Sequence, residues 1–335
     1  MTYDFDLATV WAFIIAFAVF AYVVMDGFDL GIGILFPAFD VGEERDKAMN
    51  SIAPVWDGNE TWLVLGGGGL FAAFPLAYAI ILPALYPPLI AMLLALVFRG
   101  VAFEFRWRDP GHRRWWDFAF TAGSVMAAFA QGVALGALLQ GIDVDGRAYG
   151  GAWLDWLTPF SVLTGVSVVI GYGLLGATWL IWKTDGRAQE HAYRLARRLF
   201  PATLAAIVAV SLMTLTLDFE YRAKWLDYPA ILLTAQVPIL TAIIAFAYQR
   251  SLRKKREGRP FLLALALFLM SFIGLGISMF PYIVPDQVTI WDAAAPEASQ
   301  WFMLVGAGVL IPVILVYTAF AYWVFRGKVD ASGYH

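Results

Sequence analysis

The 335-residue sequence contains no cysteine, which excludes disulfides, thiolate metal centres, iron–sulfur clusters and cysteine nucleophiles from its chemistry. Histidine is almost as scarce. His112 and His191 lie among basic residues and His335 is the last residue, so no histidine falls in an apolar stretch. A haem held between histidines of facing helices is therefore excluded, and the methionines inside apolar stretches, such as Met92 and Met126, read as packing residues. Charge is sparse too: Asp, Glu, Lys and Arg make up 15% of the chain and the net charge is -3, which gives no footing for a nucleic acid. The glycine run Gly66 to Gly69 has no Gly-Lys-Ser/Thr after it and is not a phosphate loop; close helix packing is the expectation. Internal repeats and low-complexity linkers are absent, so residues 1–335 read as a single transmembrane domain.

What is abundant is apolar. Hydrophobic residues make up 61% of the sequence, against about 45–50% in a soluble globule, and the mean hydropathy is +0.69. Stretches close to the roughly 17–25 residues that a crossing helix needs lie at Leu7–Leu35, Glu60–Phe74, Leu76–Phe98, Phe118–Gln140, Pro159–Trp182, Pro201–Leu217, Pro229–Tyr248, Phe261–Phe280 and Trp301–Phe325. An all-α integral membrane protein of about nine transmembrane helices is expected. The second stretch is short and glycine-rich, the weakest of the nine. The acidic start, Met1 to Asp6, lacks the basic region of a secretory signal, so the first stretch is expected to remain as a helix. With the N-terminus periplasmic and the C-terminus cytoplasmic, all 23 Lys and Arg except Arg147, Arg222 and Lys224 fall on the inner side, as the positive-inside bias requires.

Against that background the acidic residues stand out. Asp26 and Asp29 interrupt the first stretch at a spacing that puts both on one helix face, one turn apart. An ionised side chain deep in hydrocarbon costs about 2.5–3.5 kcal/mol on insertion scales, so a pair requires partners or protons. Asp57 and Glu60, flanked by Trp56 and Trp62, repeat the spacing, and Glu104 lies between Arg99 and Arg106. All five acids fall toward the inner side. Proton handling is one reading; helix capping, interfacial anchoring and pairing of Glu104 with Arg99 or Arg106 are the other. A proton-coupled secondary transporter would use such acids as well, but would show mid-membrane broken helices and repeat symmetry.

Met25-Asp26-Gly27-Phe28-Asp29-Leu30-Gly31, Asn50 through Asn59, Leu70 through Pro75, Phe103-Glu104-Phe105-Arg106 and Phe280-Pro281-Tyr282 together resemble subunit II of the cytochrome bd-type quinol oxidases, including the cyanide-insensitive type. The resemblance runs nearly end to end and is densest in the first third. It implies two four-helix bundles plus one peripheral helix, and a bacterial inner-membrane location. It further implies a heterodimer with subunit I, which carries two b-type haems and haem d and oxidises quinol while oxygen is reduced to water. Subunit II would ligate no haem and no metal. It would supply protons from the cytoplasm through Asp29, Asp57 and Glu104, with Asp26 as a further member and Trp56, Glu60 and Arg99 in support. A structural quinone in this subunit, bound lipids and a small single-helix accessory subunit are also within what the resemblance allows. One departure is Gly100, where many relatives carry proline.

Overall fold

A computed structural model describes residues 6–217 and 220–329. Thirteen α-helices occur among them, in the order α1 (Leu7–Leu35), α2 (Glu43–Asn50), α3 (Trp56–Ala73), α4 (Pro75–Arg108), α5 (Arg113–Leu139), α6 (Pro159–Lys183), α7 (Gly186–Thr214), α8 (Tyr221–Leu226), α9 (Ile231–Thr234), α10 (Gln236–Arg253), α11 (Gly258–Met279), α12 (Ile290–Ala293) and α13 (Glu297–Val324). Two small antiparallel hairpins, Val144–Asp145 with Ala148–Tyr149 and Tyr282–Val284 with Val288–Thr289, close loops at one end.

Eight helices among the described residues are long and apolar enough to cross a bilayer, against nine expected stretches. The difference is α3. This 18-residue helix stands where the second stretch was read, but Asp57, Asn59, Glu60 and five glycines dilute its hydropathy. Two helices also outrun their apolar stretches: α7 begins at Gly186, well before Pro201, and α4 does not end with its apolar run at Phe98 but continues to Arg108. Its internal Pro83, Pro87 and Pro88 are tolerated as in other membrane helices, where neighbouring groups satisfy the freed carbonyls.

Helix α1 is the hub. It packs on α3, α5 and α6, while α4 lies along α5 and α5 along α6. Beyond α6 the chain builds a second group: α7 and α11 pack on α6, α10 on α11, and Phe200 of α7 stacks on Tyr248 of α10 at 4.4 Å. Helix α13 is marginal, with Gln300 its one buried residue, and is joined to the rest by an aromatic cluster in which Tyr322 meets Phe28 and Trp179.

Small residues permit this packing. A Cβ on Gly176 of α6 would stand 2.6 Å from the backbone nitrogen of Ile32 in α1, and one on Gly132 of α5 would stand 2.6 Å from Gly165 Cα in α6. Backbone cannot give way as a flexible side chain can. Gly176→Ala is expected to destabilise the protein by about 1–3 kcal/mol, the usual range for overpacking, seen as a lower midpoint in thermal unfolding of the purified complex. The run Gly66 to Gly69 packs only in part: Gly66 and Gly69 face Val19 and Ile15 of α1, whereas Gly67 and Gly68 are open.

Candidate functional site

Three helices bring charge to one buried point. Asp26 and Asp29 come from α1, Asn59 and Glu60 from the first turn of α3, and Arg99 from α4; Asp26, Asp29 and Arg99 are fully buried. The Arg99 guanidinium is the centre. Its Nη1 lies 2.7 Å from Glu60 Oε1 and 3.4 Å from Asp26 Oδ1, and its Nη2 lies 3.9 Å from Asp29 Oδ2. Trp56 and Phe103 stack at 5.0 Å, nearly parallel, and the guanidinium carbon lies within 6 Å of both ring centres at 5.8 and 5.7 Å. A Cβ on Gly100 would stand 3.5 Å from Trp56, an ordinary van der Waals contact, so the stack does not depend on glycine there.

One positive charge faces three carboxyl groups. Neither oxygen of Asp26 is satisfied by a hydrogen bond of good geometry, its polar neighbours being Arg99 at 3.4 Å and the Tyr22 hydroxyl. Asp29 accepts a hydrogen bond from Asn59 Nδ2 at 2.7 Å, and Asn59 in turn accepts from the Tyr322 hydroxyl at 2.9 Å. One helical turn before Asp26, the Tyr22 hydroxyl accepts from Gln131 Nε2 at 2.8 Å, and Gln131 Oε1 accepts from Tyr172 at 2.7 Å. Polar side chains thus lead away from the cluster in two directions within an otherwise apolar interior.

Sequence reasoning named Asp26, Asp29, Glu60, Trp56 and Arg99, and these meet. It counted Arg99 among the inner loop residues, however, and the structure corrects this to a wholly buried position inside α4. Asp57 and Glu104 lie outside the cluster, both exposed. Glu104 pairs with neither Arg99 nor Arg106 but with Arg108 at 3.2 Å on the outer side of α4. Asn59, Tyr322, Tyr22, Gln131 and Tyr172 were missed. Asn59 and Gln131 carried a signal, being amides in apolar helices, whereas Tyr322 is distant in sequence and otherwise reads as a membrane-interface tyrosine.

A second charged knot lies two turns along α4. Arg106, buried at 1% exposure, bonds Asp117 of α5 through Nε at 2.5 Å and pairs with Asp46 of α2 at 2.9 Å. Arg45 also reaches Asp117, at 2.8 Å, and Arg113 reaches Asp46. Phe36 and Trp107 provide ring faces for these arginines. The knot ties the basic ends of α2, α4 and α5 together and holds α4 in the register that places Arg99.

Among the described residues no group of three or more His, Asp and Glu is placed to hold a metal ion. His112 is held by Asp109 at 3.0 Å and His191 by Glu44 at 3.2 Å, both at helix ends, and His335 lies outside the described residues. The Asp109 carboxyl, on the surface, is held below the usual carboxylate range chiefly by the hydrogen bond to His112.

Residues 7–325 match the family described as cytochrome bd terminal oxidase subunit II. The chain is 30% identical to the probable cytochrome oxidase subunit 2 of Haemophilus influenzae, over 98% of this chain and 97% of that protein. It is also 30% identical to the cytochrome bd-I ubiquinol oxidase subunit 2 of Escherichia coli K12 (96% and 95%) and to the cytochrome bd ubiquinol oxidase subunit 2 of Bacillus subtilis (97% and 97%). In fold it is similar to a chain in the bd oxidase structure from Geobacillus thermodenitrificans, with a TM-score of 0.79 at 19% identity, over 95% of this chain and 99% of that one. With this match over almost its whole length, and with its series of apolar helices, the chain belongs to the subunit II family of the cytochrome bd terminal oxidases and is a multi-pass inner-membrane part of a bacterial oxidoreductase complex, with a subunit I as its partner.

Proposed function

We propose that this subunit serves its partner as a proton reservoir and conduit while quinol is oxidised and oxygen is reduced to water, without itself catalysing either reaction. The haems of the complex, carried by subunit I in this reading, supply the oxygen chemistry. The carrying observation is the arrangement of Asp26, Asp29 and Glu60 around the single cation Arg99. A guanidinium neutralises one carboxylate; a further negative charge on wholly buried Asp26 or Asp29 would cost several kcal/mol, and one on the quarter-exposed Glu60 less, and the cluster is neutral when two protons reside on it. Those protons are movable cargo. Asp26, whose oxygens lack hydrogen bonds of good geometry here, is the acid that a proton satisfies most directly. Hydrogen-bonded side chains, Tyr322 to Asn59 to Asp29 on one side and Tyr172 to Gln131 to Tyr22 on the other, orient the acids and give polar flanks along which water would carry protons, since the Asn59 and Gln131 amides do not themselves relay them.

Asp57 and Glu104 fit this reading as surface acids that collect protons near the cluster or pass them across to the partner. The charge bias of the loops supports placing the N-terminus in the periplasm and the cluster toward the cytoplasm. The residues described here give no specific support for a structural quinone or an accessory helix, and neither is needed for the proton role.

Oxygen consumption by the purified complex is the test. Asp26→Asn is expected to lower turnover about a hundredfold or more, the scale of a lost proton-transfer group, while the haem spectra of the complex stay unchanged. Asp57→Ala and Glu104→Ala are expected to slow it by smaller factors. Turnover within twofold of the parent in all three variants, with normal assembly, overturns the reading.

A further inference from the structure

A cavity of about 290 Å³ opens beneath the C-terminal turn of α13, between the ends of α6 and α13 and the connection from α2 to α3. It lies at the end of the molecule where the basic residues concentrate. Lys183 and Lys328 line it together with Asn50, Trp179, Val55 and Phe325, and no Asp or Glu is among its lining residues.

Lys183 is the unusual member. It is only 5% exposed, yet no carboxylate among the described residues lies within ion-pair distance of it. Arg99 and Arg106, the other two deeply buried cations, each have at least two. Lys183 Nζ instead donates to the Phe325 carbonyl and lies 5.4 Å from the Trp179 ring centre, neither of which cancels its charge. Two further donors on the same wall are unspent: Asn50 Nδ2 and Trp179 Nε1, in residues 5% and 3% exposed, have no hydrogen-bond partner among the described residues. Lys328 is held at the rim by Glu257 at 2.9 Å and by the Thr184 carbonyl at 2.8 Å. A cap for the end of α13 would explain the Lys183 ammonium, but not the unspent amide and indole nitrogens beside it.

Buried donors and a cation with no acid beside it among the described residues define a site for an anion. The volume corresponds to about ten waters, more than an inorganic phosphate fills, and the Val55 and Phe325 side chains offer an apolar wall. We infer that this cavity binds the phosphate headgroup of an anionic phospholipid, with Lys183 as its principal partner. Basic pockets between membrane helices on the cytoplasmic side take such headgroups, and each lysine near the surface contributes attraction toward anionic lipid.

Native mass spectrometry of the intact two-subunit complex, titrated with phosphatidylglycerol, phosphatidylcholine or inorganic phosphate, tests the inference. One phosphatidylglycerol is expected to bind in clear preference to phosphatidylcholine. Lys183→Gln is expected to weaken it about fivefold or more, and Lys328→Gln by a smaller factor, with phosphatidylcholine unaffected. Millimolar inorganic phosphate should leave the lipid bound. Displacement of the lipid by phosphate would show that free phosphate occupies the site and would overturn the assignment to lipid. Phosphatidylglycerol binding unchanged in both variants overturns the site itself. Should Lys183→Gln not assemble, Lys328→Gln and Asn50→Leu decide by the same reading, and none of these results depends on oxygen turnover.

Discussion

Replacing Arg99 with methionine is expected to cost about 3–5 kcal/mol and to keep the complex from accumulating in the membrane. The residue has no access to water, and its guanidinium is the one cation within ion-pair distance of Asp26, Asp29 and Glu60 among the described residues. Without it, Asp26 and Asp29 are left in an apolar interior beside the quarter-exposed Glu60, and the two buried acids must take protons or draw in water. Arg99→Lys is expected to recover only part of the loss, because an ammonium is a compact point charge that cannot address carboxylates on α1 and α3 together as a planar fork does. Adding Asp26→Asn and Glu60→Gln to Arg99→Met should restore assembly but not turnover. Membrane yield and the thermal midpoint of the complex measure the first effect and oxygen uptake the second. Normal yield in Arg99→Met alone would show that the cluster tolerates the loss of its cation, contrary to the charge argument.

Asp117→Ala is expected to have an effect of similar size, about 3–5 kcal/mol, for a different reason. Asp117 is the one partner that Arg45 and Arg106 share, so its removal leaves Arg45 without an ion pair among the described residues and the buried Arg106 with Asp46 alone, and loosens the basic ends of α2, α4 and α5 at once. Asp46 still faces Arg106 and Arg113, and two arginines then compete for one carboxylate. The expected signature is a lowered thermal midpoint with turnover per assembled complex nearly unchanged. Asp26→Asn is expected to give the converse, and the pair of results separates the knot that holds α4 from the cluster that handles protons.

The contrast between these two sites also explains what the sequence could and could not reveal. The apolar stretches were legible because lipid demands them, and α1, Leu7–Leu35, coincides with its expected stretch residue for residue. Asp26 and Asp29 were legible because acids inside such a stretch are rare. Arg99 was misplaced because hydropathy averages over all faces of a helix: α4 looks polar after Phe98, although Arg99 and Arg106, seven residues apart, both point inward. Glu104 was drawn to those arginines by nearness in sequence. Five residues after Arg99 and two before Arg106, it lies well round the helix from both and faces outward. The true partners of Arg106, Asp46 and Asp117, come from α2 and α5: the first lies sixty residues away and the second across the turn between α4 and α5, and no local pattern announces either pairing. Tyr322 was hidden in the same way, reaching Asn59 from the far end of the chain.

Because Asp26, Asp29 and Glu60 all answer to one guanidinium, a hydrogen ion taken by any of them alters the affinity of the other two. The trio therefore titrates as a unit, and whatever midpoints a pH-resolved infrared experiment finds are properties of the group and not of named residues. Double replacements within it should depart from the sum of the single ones, while combinations with Asp117, whose partners are separate, should simply add.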